Sequence, residues 1–330
     1  MDLDGDGHID ILTGSWPGEL FLFRGGPNRT FAAPEMIKDR AGEFINIGGG
    51  PRDDGDHILI AGNAEHEETP EGTFVTYHGK RMKSTPEKPI WTTGTASAVH
   101  AADWDGDGDY DLIVGDIGGN VYLVPNEGTA KEYAFGKEQA LEAGGKAVHV
   151  HGDAGPFVAD WDGDGLADLL VGSGDGSVAL YRNVGTAKAP KLAAAATLVP
   201  DGETFDAIPK EPRRGMRSKV CVADWNGDGR PDLLLGDFAM QKPDLPEPTA
   251  EEKAEHDKIR EEMATLRKEY SKLVNQVFGK ERPKDEAGQK AVNESLKTLR
   301  EKMVALQEKL PAESENHGWV WLFLRKPVER

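Results

Sequence analysis

An acidic, glycine-rich stretch that recurs four times constrains this chain more than any other feature. In each copy, acidic or amide side chains stand at positions 1, 3, 5 and 9 and glycine at positions 4 and 6, counted from the first Asp. The copies are DLDGDGHIDILTG from Asp2, DWDGDGDYDLIVG from Asp103, DWDGDGLADLLVG from Asp160 and DWNGDGRPDLLLG from Asp224. We name the loops by these first residues. Like charges this close repel one another, so the fold must neutralise four equivalent loops.

Short apolar runs with period-two alternation flank every loop, which is the pattern of β-strands. A run such as SAVHAAD, GPFVAD or KVCVAD precedes each loop except the Asp2 loop, and GELFLFRG, GNVYLVPN, GSVALYRN and GWVWLFLR follow further on. A worn copy, RDDGDHILIAGN from Arg52, keeps its strands and loses the spaced acids. One unit is therefore strand A, acidic loop, strand B, turn, strand C and strand D, which is typical of a β-propeller blade.

We predict an all-β fold, a β-propeller with five recognisable blades. Their approximate bounds are 1–45, 46–97, 98–146, 147–215 and 216–246 with 316–330, and we call them repeats 1 to 5. Repeat 1 lacks strand A, so we expect residues upstream of Met1 to supply it. We expect Asp53–Asp56, in the worn copy, to bind no cation.

Residues 247–315 predict an antiparallel α-helical hairpin inserted into the last blade. Thr249 follows a Pro-rich segment and precedes acidic residues, which is the pattern of a helix N-cap. Apolar residues then recur at spacings of four and three, which predicts a coiled-coil seam. The seam residues are Ile259, Met263, Leu266, Tyr270, Leu273, Val277, Val292, Leu296, Leu299, Met303, Leu306 and Leu310. The hairpin is either a self-contained decoration or a partner-binding or dimerising arm.

The loops predict up to four Ca²⁺ sites. Their spacing resembles the start of an EF-hand loop, where side chains at 1, 3 and 5 and a backbone carbonyl at 7 bind Ca²⁺ and glycine at 6 makes the turn. Oxygen-only ligands favour Ca²⁺ over zinc or copper, and Mg²⁺ demands stricter geometry. The assigned ligands are Asp2, Asp4, Asp6, the His8 carbonyl and Asp10; Asp103, Asp105, Asp107, the Asp109 carbonyl and Asp111; Asp160, Asp162, Asp164, the Leu166 carbonyl and Asp168; and Asp224, Asn226, Asp228, the Arg230 carbonyl and Asp232.

At these loops, residues 1–246 and 316–326 resemble the FG-GAP/VCBS repeat family of integrin α-subunit propellers and secreted bacterial proteins. The resemblance implies a propeller whose DxDxDGxxD loops bind Ca²⁺ between the first two strands of a blade. It also implies an extracellular or periplasmic location. We therefore expect a non-catalytic binding or adhesion scaffold for a protein or glycan.

Composition and motifs limit the other function classes. The formal net charge of −19 argues against nucleic acid as a partner, and no apolar run is long enough to span a membrane. We find no nucleophile elbow, P-loop, dinucleotide turn or HExxH, so we expect no enzymatic activity. Two alternatives stay open: a polysaccharide lyase or hydrolase with its site in the channel near His100, His149 and Arg217, and a structural module of a larger surface protein.

Two further residue types have predicted places in this fold. Trp104, Trp161 and Trp225 each follow the first Asp of a loop, and we expect them to pack under their loops or between blades. Cys221, the one cysteine of the chain, lies in a predicted inner strand and is expected to be a small buried apolar residue. With one cysteine, the chain forms no intramolecular disulfide.

Overall fold

The computed structural model describes residues 1–47, 50–53, 55–61, 64–77, 79–93, 95–202, 208–278 and 285–326. The chain divides into two compact units. The first comprises Met1–Asp206, Arg213–Ala239 and Asn316–Arg330, and the second comprises Ala207–Pro212 and Met240–Glu315. Strands dominate the first unit, and the second contains two long helices.

Repeat 1 contains five short strands, three of which form an antiparallel sheet. Its strands are β1 (Ile11–Gly14), β2 (Leu20–Phe23), β3 (Gly25–Gly26), β4 (Thr30–Phe31) and β5 (Glu35–Met36), with a 3₁₀ turn at Pro27–Arg29. The sheet order is β1-β2-β5, and β3 pairs separately with β4. Among the described residues, β1 is therefore an edge strand, at the place where other repeats have strand A.

Residues 46–97 differ from the single blade that the sequence predicts. Their strands are β6 (Gly50–Asp53), β7 (Ile58–Ala61), β8 (Ala64–Thr69), β9 (Gly72–Tyr77), β10 (Lys80–Lys83) and β11 (Ile90–Thr93). These make two three-stranded sheets, β11-β7-β6 and β10-β9-β8, and β11 runs parallel to β7. The reason is a separate small core, in which Ile60, Val75, Tyr77 and Ile90 bury one another between strands of the two sheets. The Asp53–Asp56 prediction includes Asp54, which lies outside the described residues.

Repeats 3 and 4 show the predicted strands A to D as four-stranded antiparallel sheets in chain order. Repeat 3 contains β12 (Ala98–Ala102), β13 (Asp111–Gly115), β14 (Val121–Val124) and β15 (Gln139–Ala140), followed by a short hairpin of β16 (Glu142–Ala143) and β17 (Lys146–Ala147). Repeat 4 contains β18 (Gly155–Ala159), β19 (Asp168–Gly172), β20 (Val178–Tyr181) and β21 (Ala196–Val199). Strand B is buried on both faces, because its alternate side chains pack against the repeats on either side.

Repeat 5 contains β22 (Met216–Ala223), β23 (Asp232–Gln241), β24 (Glu315–His317) and β25 (Val320–Phe323). Strand β23 pairs with β22, β24 and β25. Between β23 and β24 the chain forms α1 (Ala250–Phe278) and α2 (Glu286–Gln307). The Thr249 hydroxyl accepts the Glu252 N–H at 3.2 Å, so Thr249 is the predicted cap of α1.

The two helices pack against each other. On the predicted seam, Ile259 and Met263 are buried and the other described seam side chains are partly buried, while the side chain of Val277 lies outside the described residues. The existence of two helices is confirmed, and a coiled-coil geometry stays a prediction.

One joint recurs three times in the first unit, between repeats 1 and 3, repeats 3 and 4, and repeats 4 and 5. The glycine that ends strand B lies against the start of strand A in the next repeat, and the residue after it accepts an N–H from that start. The glycine contacts are Gly14 with Ser97, Gly115 with Ala154, and Gly172 with Ser218. The hydrogen bonds run from Ser97 N to Ser15 O at 3.0 Å, from Ala154 N to Asp116 O at 2.9 Å, and from Ser218 N to Ser173 O at 2.9 Å. Repeat 1 therefore packs directly on repeat 3, repeat 3 on repeat 4, and repeat 4 on repeat 5.

Candidate metal centres

Each acidic loop is wrapped by hydrogen bonds from its own backbone to its first and fifth side chains. In the Asp103 loop, Asp103 accepts the N–H groups of Asp107 and Gly108 at 3.1 and 3.2 Å, and Asp107 accepts the Asp109 N–H at 3.0 Å. The same bonds form around Asp2, Asp160 and Asp224. Gly106 and Gly108 take φ values of 70° and 94°, which side chains disfavour. The loop therefore curls around a centre.

The aspartate at position 9 ties the loop to two strands. Asp111 accepts the Trp104 N–H at 3.1 Å with one oxygen and the Asn126 N–H, just after strand C, at 2.7 Å with the other. The equivalent pairs of bonds form at Asp10, Asp168 and Asp232. The sequence analysis assigned these residues as ligands. It did not predict that they link two segments by hydrogen bonds, because the second donor follows a distant strand.

Three loops bring carboxylates close enough to share one cation. Their oxygens lie within 4.8 Å of one another in the groups Asp2, Asp4, Asp6; Asp103, Asp105, Asp107; and Asp160, Asp162, Asp168. In the third group the position-9 carboxylate stands where the sequence expected Asp164. Among the described residues, no such group of acidic, histidine or cysteine ligands includes the Asp224 loop, where Asn226 replaces one aspartate.

Arginines already neutralise some of these carboxylates, which sequence reasoning missed. Arg24 pairs with Asp4 at 2.5 Å, Arg182 with Asp162 at 3.4 Å, and Arg230 with Asp228 at 2.5 Å. Arg24 and Arg182 stand at the same place, directly after strand C, where repeat 3 has Pro125. The Asp103 loop therefore lacks this internal counter-charge.

The side chain of Asp109 adds a further carboxylate to the Asp103 loop. It is 5 % exposed, and its Oδ1 atom is buried with no hydrogen-bond partner among the residues that the structure describes. Burial, followed by repulsion from Asp107 and Asp105, raises the pKa of Asp109 to about 6. Only the Asp109 carbonyl was assigned from the sequence, because position 7 is a backbone ligand in the EF-hand pattern.

Burial also raises the pKa of the position-9 carboxyls in two of the loops. The pKa of Asp111 rises to about 6 through burial, against the two backbone hydrogen bonds that lower it. Burial likewise raises the pKa of Asp168. Burial and neighbouring charges therefore destabilise the ionised carboxylates of these loops, and a bound cation would stabilise them.

The residues of the loops fit a hard divalent cation. All side chains in the groups offer oxygen, and in the described part of the chain the buried Oδ1 atoms of Asp4 and Asp109 lack a protein partner. Buried carboxylate oxygens without a partner are costly, and Ca²⁺ takes six to eight oxygens at flexible geometry. The Asp103 loop fits best, and the Asp224 loop fits least.

The residues of the alternative enzymatic site each have separate local contacts. The His100 ring lies 4.2 Å from that of Phe157, and burial lowers the pKa of His100 to about 4. Nδ1 of His149 lies 3.1 Å from Oδ1 of Asn120, and Arg217 pairs with Asp153 at 2.8 Å. His100 is therefore neutral near pH 7, and Arg217 is engaged by a carboxylate.

Comparison with known families identifies the repeats. A model of the FG-GAP-like repeat matches residues 103–171 and 160–235, which contain the Asp103, Asp160 and Asp224 loops. A search of curated proteins finds no significant match. In the described chain, neither helix is long and apolar enough to cross a membrane. Residues 103–235 of this chain therefore contain FG-GAP-like repeats.

Proposed function

We propose that this chain is a calcium-binding, non-catalytic scaffold of β-propeller blades, which presents its loops to a protein or glycan partner outside the cytoplasm. The buried, unpartnered Oδ1 of Asp109, beside the clustered Asp103, Asp105 and Asp107, carries the proposal. FG-GAP-like repeats suggest a binding or scaffold module and are typical of extracellular proteins, which supports the function and location.

The four loops differ in their proposed affinity for Ca²⁺. The Asp103 loop offers the most carboxylates without an arginine partner, so it binds most tightly. The Asp2 and Asp160 loops follow, because Arg24 and Arg182 must share Asp4 and Asp162 with the ion. The Asp224 loop is weakest, because Asn226 brings one charge fewer and Arg230 holds Asp228.

Bound Ca²⁺ stabilises the turn between strands A and B. Since the unfolded chain cannot assemble the ligands, binding adds to the free energy of unfolding by about 2.7 kcal/mol per site at a hundredfold excess over Kd. A scaffold with one cysteine and no disulfide would use such ions as its cross-links.

The metal proposal is tested by calorimetric titration and thermal unfolding. We expect Ca²⁺ to raise the Tm of chelator-treated protein and Mg²⁺ to raise it much less. Asp105→Asn should remove or weaken the tightest site, while Asp257→Asn, an exposed helix position, serves as the matched control. A Tm unmoved by Ca²⁺ or EDTA at low salt, together with no heat of binding, would refute the proposal.

The scaffold proposal needs a separate test. Glycan arrays and pull-downs from extracellular protein fractions, with Ca²⁺ and with EDTA, should detect a partner that binds only in Ca²⁺. Turnover of uronic-acid polymers that is lost in His149→Ala would instead favour the polysaccharide enzyme.

A further inference from the structure

Repeat 5 differs from repeats 3 and 4 at both ends of its strands. At the loop end, Trp225 is 62 % exposed, whereas its equivalents Trp104 and Trp161 are 5 % and 8 % exposed, so the prediction of packing is wrong for Trp225. At the opposite end, residues 213–219 read RRGMRSK and contain four basic residues and no acidic one. The formal net charge of the whole chain is −19, so this segment runs against the charge of the molecule.

The joint between repeats does not require these basic side chains. The residue before the start of strand A has a positive φ in each joint, of 45° at Ala96, 45° at Asp153 and 59° at Arg217. Alanine and aspartate therefore occupy the position that arginine has in repeat 5. In the same way, Lys219 corresponds to Gly155 of repeat 4, because each pairs with the glycine that ends strand B. Since the same joint forms without a basic residue, its geometry does not explain the positive charges of repeat 5.

The basic side chains also do not neutralise an acidic loop. Arg217 forms two hydrogen bonds with the Asp153 carboxylate, at 2.8 and 3.2 Å, and Lys219 donates to the Asp153 carbonyl at 2.6 Å. Arg214 donates to two backbone carbonyls, at 2.7 and 2.5 Å. In the described part of the chain, none of these three side chains pairs with a loop carboxylate. Their charges are therefore available for another purpose.

The acidic loops lie at the other end of the strands. In repeat 4, strand B begins at the position-9 aspartate Asp168, and the turn between strands B and C begins at Gly174. The intervening extended chain is about 20 Å long. A cation in the Asp160 loop is therefore too far away to contact a ligand at this turn.

Arg214 and Arg217 flank the turn at residues 174–176. The Arg217 N–H donates to the Gly174 carbonyl at 3.0 Å, and the Arg214 guanidinium donates to the Gly176 carbonyl at 2.7 Å. Two residues span at most about 7 Å, so the two attachment points lie within reach of one ligand.

The surroundings of this turn are mostly polar. Asp175, in the turn, accepts the N–H and the hydroxyl of Ser177 at 2.9 and 2.6 Å, so its carboxylate is already engaged. The exposed residue His151 donates its backbone N–H to the Ser173 hydroxyl at 3.1 Å. Between the two arginines, Met216 is 51 % exposed and offers a small apolar surface. Such a surface suits a ligand that combines negative charge with hydroxyl groups.

We propose that Arg214 and Arg217 bind carboxylate groups of an acidic glycan. This inference rests on the proposed function, because it names the partner class of the scaffold, but it does not depend on bound Ca²⁺. A guanidinium stays charged and matches a carboxylate with two parallel hydrogen bonds. Arg217 uses Nε and Nη2 for Asp153 and is 48 % exposed, so its remaining nitrogen, Nη1, faces no competing partner among the described residues. Arg214 bonds to carbonyls, which leave its charge in place.

Calorimetric titration of the full chain with a purified oligogalacturonate tests the proposal. We expect binding of this probe and none of a neutral oligosaccharide of equal length. Arg214→Gln and Arg217→Asn should each weaken binding at least about tenfold, because each removes one charged pair. Asparagine is chosen at Arg217 because it tolerates a positive φ. Arg230→Gln, which removes a positive charge at the loop end of the same repeat, is the matched control and should leave the affinity unchanged.

Asp153→Asn provides a test that a structural role of the arginines would not pass. The substitution releases Arg217 and removes a carboxylate that competes with the ligand, while asparagine tolerates the φ of 45° at this position. The affinity for the oligogalacturonate should therefore rise, by about threefold or more. Thermal unfolding confirms that each variant is folded. An affinity that falls in Asp153→Asn would contradict the proposal.

Several other outcomes would overturn the proposal. Wild-type protein that binds no oligogalacturonate would do so, as would binding that both arginine variants leave unchanged. Equal or tighter binding of polyglutamate would indicate an acidic protein partner instead. Loss of binding in EDTA, at a temperature where the protein stays folded, would mean that Ca²⁺ bridges the glycan to a loop. If Ca²⁺ raises the Tm and a neutral glycan or a protein binds instead, this inference fails and the proposed scaffold function stands.

Discussion

Repeats 3 and 5 contain the same loop and strands in different surroundings. The Asp103 and Asp224 loops share their backbone hydrogen bonds, with the first aspartate accepting the fifth N–H at 3.1 and 3.0 Å. They differ in charge, because Asp105 and Asp109 of repeat 3 correspond to Asn226 and Arg230 of repeat 5. Loop shape therefore depends on glycine and backbone hydrogen bonds, whereas the proposed affinity for Ca²⁺ would depend on carboxylates that are not paired with an arginine.

The two repeats also differ in what covers them. His100 of strand A in repeat 3 is packed on Phe157 of repeat 4, while the equivalent Cys221 of repeat 5 is exposed. The prediction of a buried Cys221 is therefore wrong, because its burial needed a further repeat. Packing between repeats, and not the position in the strand, determines which of these side chains is buried.

The largest effect on stability should come from removing the position-9 aspartate, and it should be equal in the two repeats. Asp111→Ala and Asp232→Ala each leave two backbone N–H groups unpaired at sites that are 2 % and 0 % exposed. We expect each to lower the free energy of unfolding by about 3 kcal/mol in EDTA. Urea denaturation measures this, with Asp105→Ala as a near-neutral control. A much larger loss in one repeat would show that the shared framework is not equivalent.

The next effect is a pH dependence of stability that comes from His100 and is confined to repeat 3, which repeat 4 covers. Burial holds the pKa of His100 at about 4, below its usual 6.5, so the folded protein binds this proton less tightly than the unfolded chain. His100 thus favours the folded state above pH 6.5, and this contribution is lost as the pH falls towards 4. The full change is about 3 kcal/mol. Urea denaturation from pH 7 to 4 should show a shallower decline for His100→Phe, and parallel curves would contradict the assignment.

Exchanging charges between the Asp103 and Asp224 loops should reverse their relative affinities for Ca²⁺. Asp105→Asn in repeat 3 should weaken Ca²⁺ binding about tenfold, whereas Asn226→Asp with Arg230→Gln should strengthen it about tenfold in repeat 5, by adding one carboxylate and releasing Asp228. Calorimetric titration of chelator-treated protein measures both. Lys309→Gln, in the second unit, controls for net charge alone. Affinities that follow total charge, and not loop charge, would contradict this explanation.

Local pattern predicted most of the elements. Strands and loops of repeats 1, 3, 4 and 5 followed from period-two alternation beside DxDGDG-type spacing, and the helices from spacings of three and four. Repeat 2 could not be predicted in the same way, because β7 takes its parallel partner β11 from about thirty residues further along the chain. Its short apolar runs are equally compatible with a blade.

The candidate site was predicted as a set of loops but not as an electrostatic arrangement. Arg24 and Arg182 lie twenty residues beyond the carboxylates that they neutralise, and the sequence does not show that strand C returns to its loop. The inward side chain of Asp109 was missed because only one of the four loops has an acid there. The arginine pairs and the burial of Asp109 both depend on which residues are close in the folded chain, and spacing along the sequence does not show this.

The smallest effect should be at Cys221. Since this thiol is exposed, Cys221→Ser should change the free energy of unfolding by less than about 0.5 kcal/mol. A thiol reagent should modify one group per native chain at dilute concentration, as fast as in urea. Slow modification of the native chain would mean that Cys221 is covered within one molecule, and the difference between repeats 3 and 5 would then lie in loop charge alone.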